Sequence, residues 1–139
     1  MGRVNRFEDL IAWQKAKRLV GSIYRLTRTG ALARDIDLVR QMRRSSVSIM
    51  SNIAEGFERG RLTEFHQYLS TAKASSGELR SQLYAAHEAG HVTEVELSPV
   101  MAEAMEVSKI IGGLRAAVGR KCQIQSGKRC GTRRGRASR

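Results

Sequence analysis

His87 and His91 stand four residues apart, the interval at which two imidazoles on one helix face can share a metal ion. Glu55 and Glu78 are carboxylates of the kind that helical bundles gather into di-metal sites. The neighbouring residues argue against both. Gly90 lies between the histidines and breaks the helix that would align them. The Glu-x-x-His pattern of a di-metal site is missing, because Glu58 follows Glu55 and Ser81 follows Glu78. Cys122 and Cys130 have no histidine near them and are too few for a structural zinc. With no nucleophile and base in evident register, the chain is expected to be no enzyme and to need no metal or cofactor. Ion pairing with an arginine is the expected role of Glu55 and Glu78.

The cations offer a different chemistry. The net charge is +12, and it is unevenly placed: residues 1–61 hold 13 Lys/Arg against 6 Asp/Glu, residues 62–118 hold 4 against 7, and residues 119–139 hold 8 against none. A basic half with a basic end is the footprint of a protein that meets a polyanion. Lys17, Arg18 and Arg25 in one segment, and Arg40, Arg43, Arg44, Arg59 and Arg61 in the next, are the folded candidates for phosphate contact. Arg40 and Arg44 are one helical turn apart and can present adjacent guanidinium forks. Arg43 lies nearer the apolar arc and is also placed to pair with a carboxylate between helices. Arg120, Lys121, Lys128, Arg129, Arg133, Arg134, Arg136 and Arg139 supply a second, terminal set. Aromatic residues are 5% of the chain and fall mostly on apolar faces, so no platform for stacking bases is expected.

Four periodic segments must position these cations. Trp13, Ala16, Val20, Ile23 and Thr27, widened by Leu10, Leu19 and Leu26, make one amphipathic face over about 7–28. Beyond Gly30, with Asp35 as a cap, Val39, Met42, Ser46, Ile49, Ile53 and Phe57 form a second face that ends near Gly60. Thr63 is the expected cap of a third helix whose seam is Phe65, Leu69, Ala72, Ser76, Leu79, Leu83 and Ala86. After Gly90, Thr93 with Glu96 three residues on opens a fourth, carrying Val100, Ala104, Val107, Ile111, Leu114 and Val118. Four such helices with short connections predict an all-α, antiparallel up-down-up-down bundle over residues 1–118. Residues 119–139 read as a basic flexible tail without fixed structure. No apolar run approaches bilayer length, so a cytoplasmic protein without membrane contact is expected.

The stretch SSVSIMSNIAEG, residues 45–56, threads small polar residues among aliphatics. On a helical wheel of about 100° per residue, Ser45 and Asn52 border the apolar arc and Ser46 falls inside it. Small residues there let helices approach closely, and a satisfied buried amide would set their register. Direct ligand contact by Ser45, Ser48, Asn52 or Glu55 is the other reading.

FEDLIAWQKA at 7–16, LVRQMRRSSVSIMSNIAEGFERG at 38–60 and EFHQYLSTAKASSGELRSQL at 64–83 occur in the order and spacing of a known family. The chain resembles the four-helix-bundle proteins of 23S ribosomal RNA intervening sequences. That family includes the accessory variability determinant of diversity-generating retroelements. In the resemblance, Ser45, Ser48, Asn52, Glu55, Gly56 and Glu78 fall within the shared motifs. It implies a homo-oligomer, with a pentamer favoured, and a partnership with RNA, or with DNA or an RNA–DNA hybrid, and with a reverse transcriptase. The Arg-rich end leans towards the retroelement role. Gly30, Ala31 and Leu32 stand where the family usually has a Phe-Pro pair and an acidic residue, so the first turn departs from its pattern. The resulting expectation is a non-enzymatic, basic, nucleic-acid-binding accessory protein that assists a reverse transcriptase or attends ribosomal intervening sequences. The alternative is a scaffold whose positive face docks an acidic protein partner.

Overall fold

Leu10, in extended backbone (φ −72°, ψ 124°), separates a short 3-10 turn at Phe7–Asp9 from the first helix. The helical segment read over 7–28 is therefore two pieces. Phe7 folds back edge-on to Trp13, their ring centroids 5.2 Å apart, and Gln14 donates from Nε2 to the Glu8 carbonyl at 2.8 Å. In this computed structural model residues 3–133 are described, the last five by their backbone alone. The helices are α1 (Ile11–Thr27), α2 (Ile36–Glu58), α3 (Leu62–Glu88) and α4 (Glu94–Arg133). They pack in a ring, each against its sequence neighbours and α1 also against α4. The result is the four-helix bundle that the four apolar seams predict.

Local chemistry sets the connections. Gly30, Gly60 and Gly90 all have positive φ, where a Cβ would be strained, and each stands where one helix ends. At Gly90 the turn is a Schellman motif: Gly90 N–H donates to the His87 carbonyl at 2.9 Å and His91 N–H to the Ala86 carbonyl at 3.0 Å. Asp35 accepts from Leu38 N–H at 3.2 Å and caps α2 as its position suggests. Thr93 and Glu96 form a reciprocal capping box, with Glu96 N–H to Thr93 Oγ1 at 3.2 Å and Thr93 N–H to Glu96 Oε1 at 3.1 Å.

Thr63 is not a cap. It lies inside α3, which starts at Leu62 with Arg61 as a capping residue that makes no side-chain hydrogen bond.

The core is built from the expected seams, most completely on α3, where all seven residues from Phe65 to Ala86 are buried. Trp13, Val20, Leu26, Phe57, Val100 and Leu114 are only half-buried. Their places are shared with residues off the seams: Ala12 on α1, Leu97 and Met101 on α4, and Leu32, which is fully buried in a 3-10 turn of the first linker. That linker closes the α1–α2 end of the core with Leu32.

The flexible tail expected from residue 119 is helical through Arg133. One turn beyond Val118, Cys122 still packs on the core, and Lys, Arg and Gln favour a helix once it is begun. Gly119 and Gly127 weaken that helix without breaking it. Arg134, Arg136 and Arg139 lie outside the described residues. No helix among the described residues is long and apolar enough to cross a membrane.

Candidate nucleic-acid interface

Helix α1 carries no carboxylate, so its cations must find partners on other helices or face solvent. On the α4 side they find them. Lys15 Nζ lies 3.0 Å from Glu106, and Ser22 Oγ donates to Glu103 at 2.8 Å while accepting from Arg25 Nη2 at 3.3 Å. Arg25 is thereby tied to the α1–α4 seam. Lys17 lies over the Trp13 ring at 5.6 Å, and Arg18 is exposed, with no ion pair among the described residues.

On the α2 side the arrangement differs. Arg43 donates from Nε to Thr27 Oγ1 at 2.9 Å and places its guanidinium 4.6 Å from the centre of the Tyr24 ring. Among the described residues Arg43 meets no carboxylate of the kind expected between helices, and α1, which it faces, has none to give. Arg28 approaches the same ring at 5.9 Å. Two guanidinium groups thus share one tyrosine, and neither meets a carboxylate among the described residues. Tyr24 and Arg28 were not among the expected site residues, although their spacing of four on a helix was a readable signal.

Arg40 and Arg44 are exposed on the same helix as Arg43, with Asp37 the one acid in the first turn of α2. Among the described residues the cations that meet a carboxylate are Arg6, Lys15, Arg59, His87 and His91. Arg28, at the C-cap of α1, and Arg40, Arg43 and Arg44 of α2 are among the cations that meet no carboxylate among the described residues, and they make a basic group where the two helices adjoin.

The other candidates do not join it. Arg59 bonds Glu55 at 3.3 Å and the Tyr68 hydroxyl at 2.9 Å, and its guanidinium is held above its ordinary pKa first by Glu55. Arg61 stands in the α2–α3 turn. Arg120, Lys121 and Lys128 are exposed on α4, with Arg129 and Arg133 further along its backbone.

The serine-rich motif faces α3. Ser48 Oγ meets Ser75 Oγ at 2.9 Å, and Asn52 donates from Nδ2 to the Ser48 carbonyl at 2.8 Å and to Ser48 Oγ at 3.0 Å. Ser45 is buried, and the buried Ser46 hydroxyl donates to the Arg43 carbonyl at 2.9 Å. Ser76 and Ser108 repeat the hydroxyl pair between α3 and α4. A Cβ on Gly56 would lie 2.5 Å from Tyr68 Cβ. Glu55 accepts from the Tyr68 hydroxyl at 3.1 Å. The arginine pairing expected of Glu55 is present in Arg59; Glu78 instead accepts from Gln82 Nε2 at 3.3 Å. Two of the motif's bonds, Ser48 to Ser75 and Glu55 to Tyr68, cross from α2 to α3, and those of Ser46 and Asn52 stay within α2.

At the opposite end of the bundle His91 Nε2 lies 3.0 Å from Asp35 and His87 Nε2 lies 3.5 Å from Glu94. The Leu38 N–H, and after it His91, hold the Asp35 carboxyl below its usual pKa. Among the described residues no group of three or more His, Cys, Asp or Glu side chains could hold a metal ion.

Residues 8–113 match the family model described as 23S rRNA-intervening sequence protein. A crystal structure of a protein with unknown function from the S23 ribosomal protein family of Bacteroides thetaiotaomicron superposes with a TM-score of 0.69 at 18% identity. The match covers 76% of this chain and 98% of that one, and shows a shared fold. No curated protein matches this chain.

Proposed function

Because the chain belongs to the 23S rRNA-intervening sequence protein family, we propose that it is a non-catalytic RNA-binding protein whose working surface is the basic cluster of α1 and α2. The observation that carries this reading is the charge of Arg28, Arg40, Arg43 and Arg44, which meet no carboxylate among the described residues. Uncompensated guanidinium groups on rigid helices release condensed counterions when they meet a phosphate backbone. Arg120, Lys121 and Lys128 on the projecting α4 add contacts beyond the bundle. Assembly as a homo-oligomer, a pentamer by resemblance, would repeat each cation around a ring and multiply weak contacts by avidity. Assistance to a reverse transcriptase rests on that same resemblance and on the Arg-rich end.

Filter binding of a structured RNA over a salt series tests the reading. Affinity is expected to fall steeply with salt, and to fall again in Arg40→Glu/Arg44→Glu. Salt-independent binding, or no binding at low salt, would refute it. Purified protein free of nucleic acid that captures an acidic protein instead would favour the scaffold reading.

A further inference from the structure

A groove of about 660 Å³ opens where the α2–α3 turn meets α4. Its floor is apolar, made by Phe57, Leu62, Phe65, Leu114 and Val118, and its rim carries Arg3, Arg61 and Lys121. None of these three cations is in an ion pair among the described residues. The groove runs into a second one of about 270 Å³, the two sharing Val4, Leu10 and Leu114, where Ile11 and Ile110 continue the apolar wall along the α1–α4 seam. That continuation has no cation and one acid, Asp9. Cationic charge is therefore confined to one end of these adjoining apolar grooves, and the single acid, Asp9, lies in the other.

The polarity selects the occupant. A nucleobase would find donors at the rim but leave its own N–H groups unsatisfied, because the larger groove is lined by no side-chain acceptor; Thr63, Gln125 and Ser126 line an adjoining groove that shares Gly60, Arg61 and Leu62 with it. The chain's own last residues carry Arg134, Arg136 and Arg139 and no acid, so the cationic rim repels them. The start of α3 strengthens the charged end: Arg61 supplies no side-chain cap, and the partial positive charge of the helix start lies beside the turn that lines the groove. An anion at one end and a hydrocarbon chain along the rest match the cationic rim and the apolar floor.

We propose that these adjoining grooves bind a single-chain amphiphile with an anionic head group, a fatty acid or a lysophospholipid. The head lies among Arg61, Lys121 and the start of α3, and the chain runs past Leu114 and Leu10 towards Ile110. The volume is in the range of sites that take small ligands. The site stands apart from Arg28, Arg40, Arg43 and Arg44 and shares Lys121 with the α4 cations offered to RNA, so amphiphile binding is titrated on its own, without RNA present.

Isothermal titration of the full, nuclease-treated chain with monomeric decanoate tests the proposal. Saturable binding is expected, tighter with longer chains by up to about fourfold per enclosed methylene. Arg61→Glu/Lys121→Glu, both at exposed positions, is expected to weaken it by about tenfold or more, with unchanged helical circular dichroism. A parallel titration with lysophosphatidylglycerol identifies the source: the tighter head group is the one the site is built for. Equal affinity for decyltrimethylammonium, independence of chain length, an unaffected double variant, or binding to micelles and vesicles alone would each overturn it.

Discussion

Gly56 of α2 lies so close to Tyr68 of α3 that a Cβ added to the glycine would sit 2.5 Å from the tyrosine's own, and 3.1 Å from Phe65 Cδ2. Backbone-anchored atoms cannot yield as a flexible side-chain end can. Gly56→Ala gains helix propensity of about 1 kcal/mol but must push two helices apart, at about 1–3 kcal/mol. Net destabilisation is expected in urea titrations. Gly113→Ala, where nothing lies within 4 Å, gains the propensity without the clash and is expected to stabilise. A Gly56→Ala protein as stable as the parent would show that the α2–α3 approach is not tight.

The hydroxyl pair Ser48 and Ser75 couples the same two helices, and Asn52 leans on one member of it. Ser48→Ala removes a partner from both Ser75 and Asn52 and is expected to cost about 1–3 kcal/mol. With Ser75→Ala added, the second loss is expected to be smaller than Ser75→Ala alone, since the partner is already gone. A double-mutant cycle by chemical denaturation measures this. Strict additivity would mean that the two hydroxyls do not hold each other.

The Asp35 carboxyl, below its usual pKa because of Leu38 N–H and then His91, links the start of α2 to the α3–α4 turn. A depressed carboxylate contributes stability above its unfolded pKa of about 3.9, and that contribution is lost as pH falls through the folded value. Asp35→Asn keeps a good N-cap but removes the charge. The parent is expected to be the more stable at pH 7, with the difference closing below about pH 4. Denaturation curves at several pH values check it, and a difference that persists in acid would assign the effect to packing.

What could be read from the residue pattern was local. The Thr93 and Glu96 box, the Asp35 cap and the Gly90 stop each depend on neighbours within four residues, and the α3 seam on a single repeat. Thr63 misled because α3 begins at Leu62, two residues before the start that a Thr63 cap implies, with no side chain announcing it. Leu32 was invisible because it packs from a linker that has no periodicity. The partners of Ser48 and Arg43 depend on which residue of another helix comes opposite, a long-range register that a single chain of letters does not display. For the same reason the folded cations of α1 and α2 were read as one set, which the bundle divides: Arg25 beside Ser22 and Glu103, Arg59 beside Glu55 and Tyr68, and Arg40 and Arg44 exposed on α2.

Arg43 and Arg44 are adjacent in sequence yet do different work, and two substitutions separate structure from binding. Arg43→Gln loses the Thr27 bond and the Tyr24 ring contact, and is expected to cost about 1–2 kcal/mol of stability. Arg44→Gln removes an exposed side chain with no ion pair, and is expected to leave stability within about 0.5 kcal/mol. Its effect belongs in RNA binding: one lost phosphate contact lowers the slope of log affinity against log salt by about 0.7 to 0.9. Thermal melts and salt-series binding on both variants give four numbers. If Arg44→Gln melts early, or leaves the salt slope untouched, the α1–α2 face is not where phosphates are met.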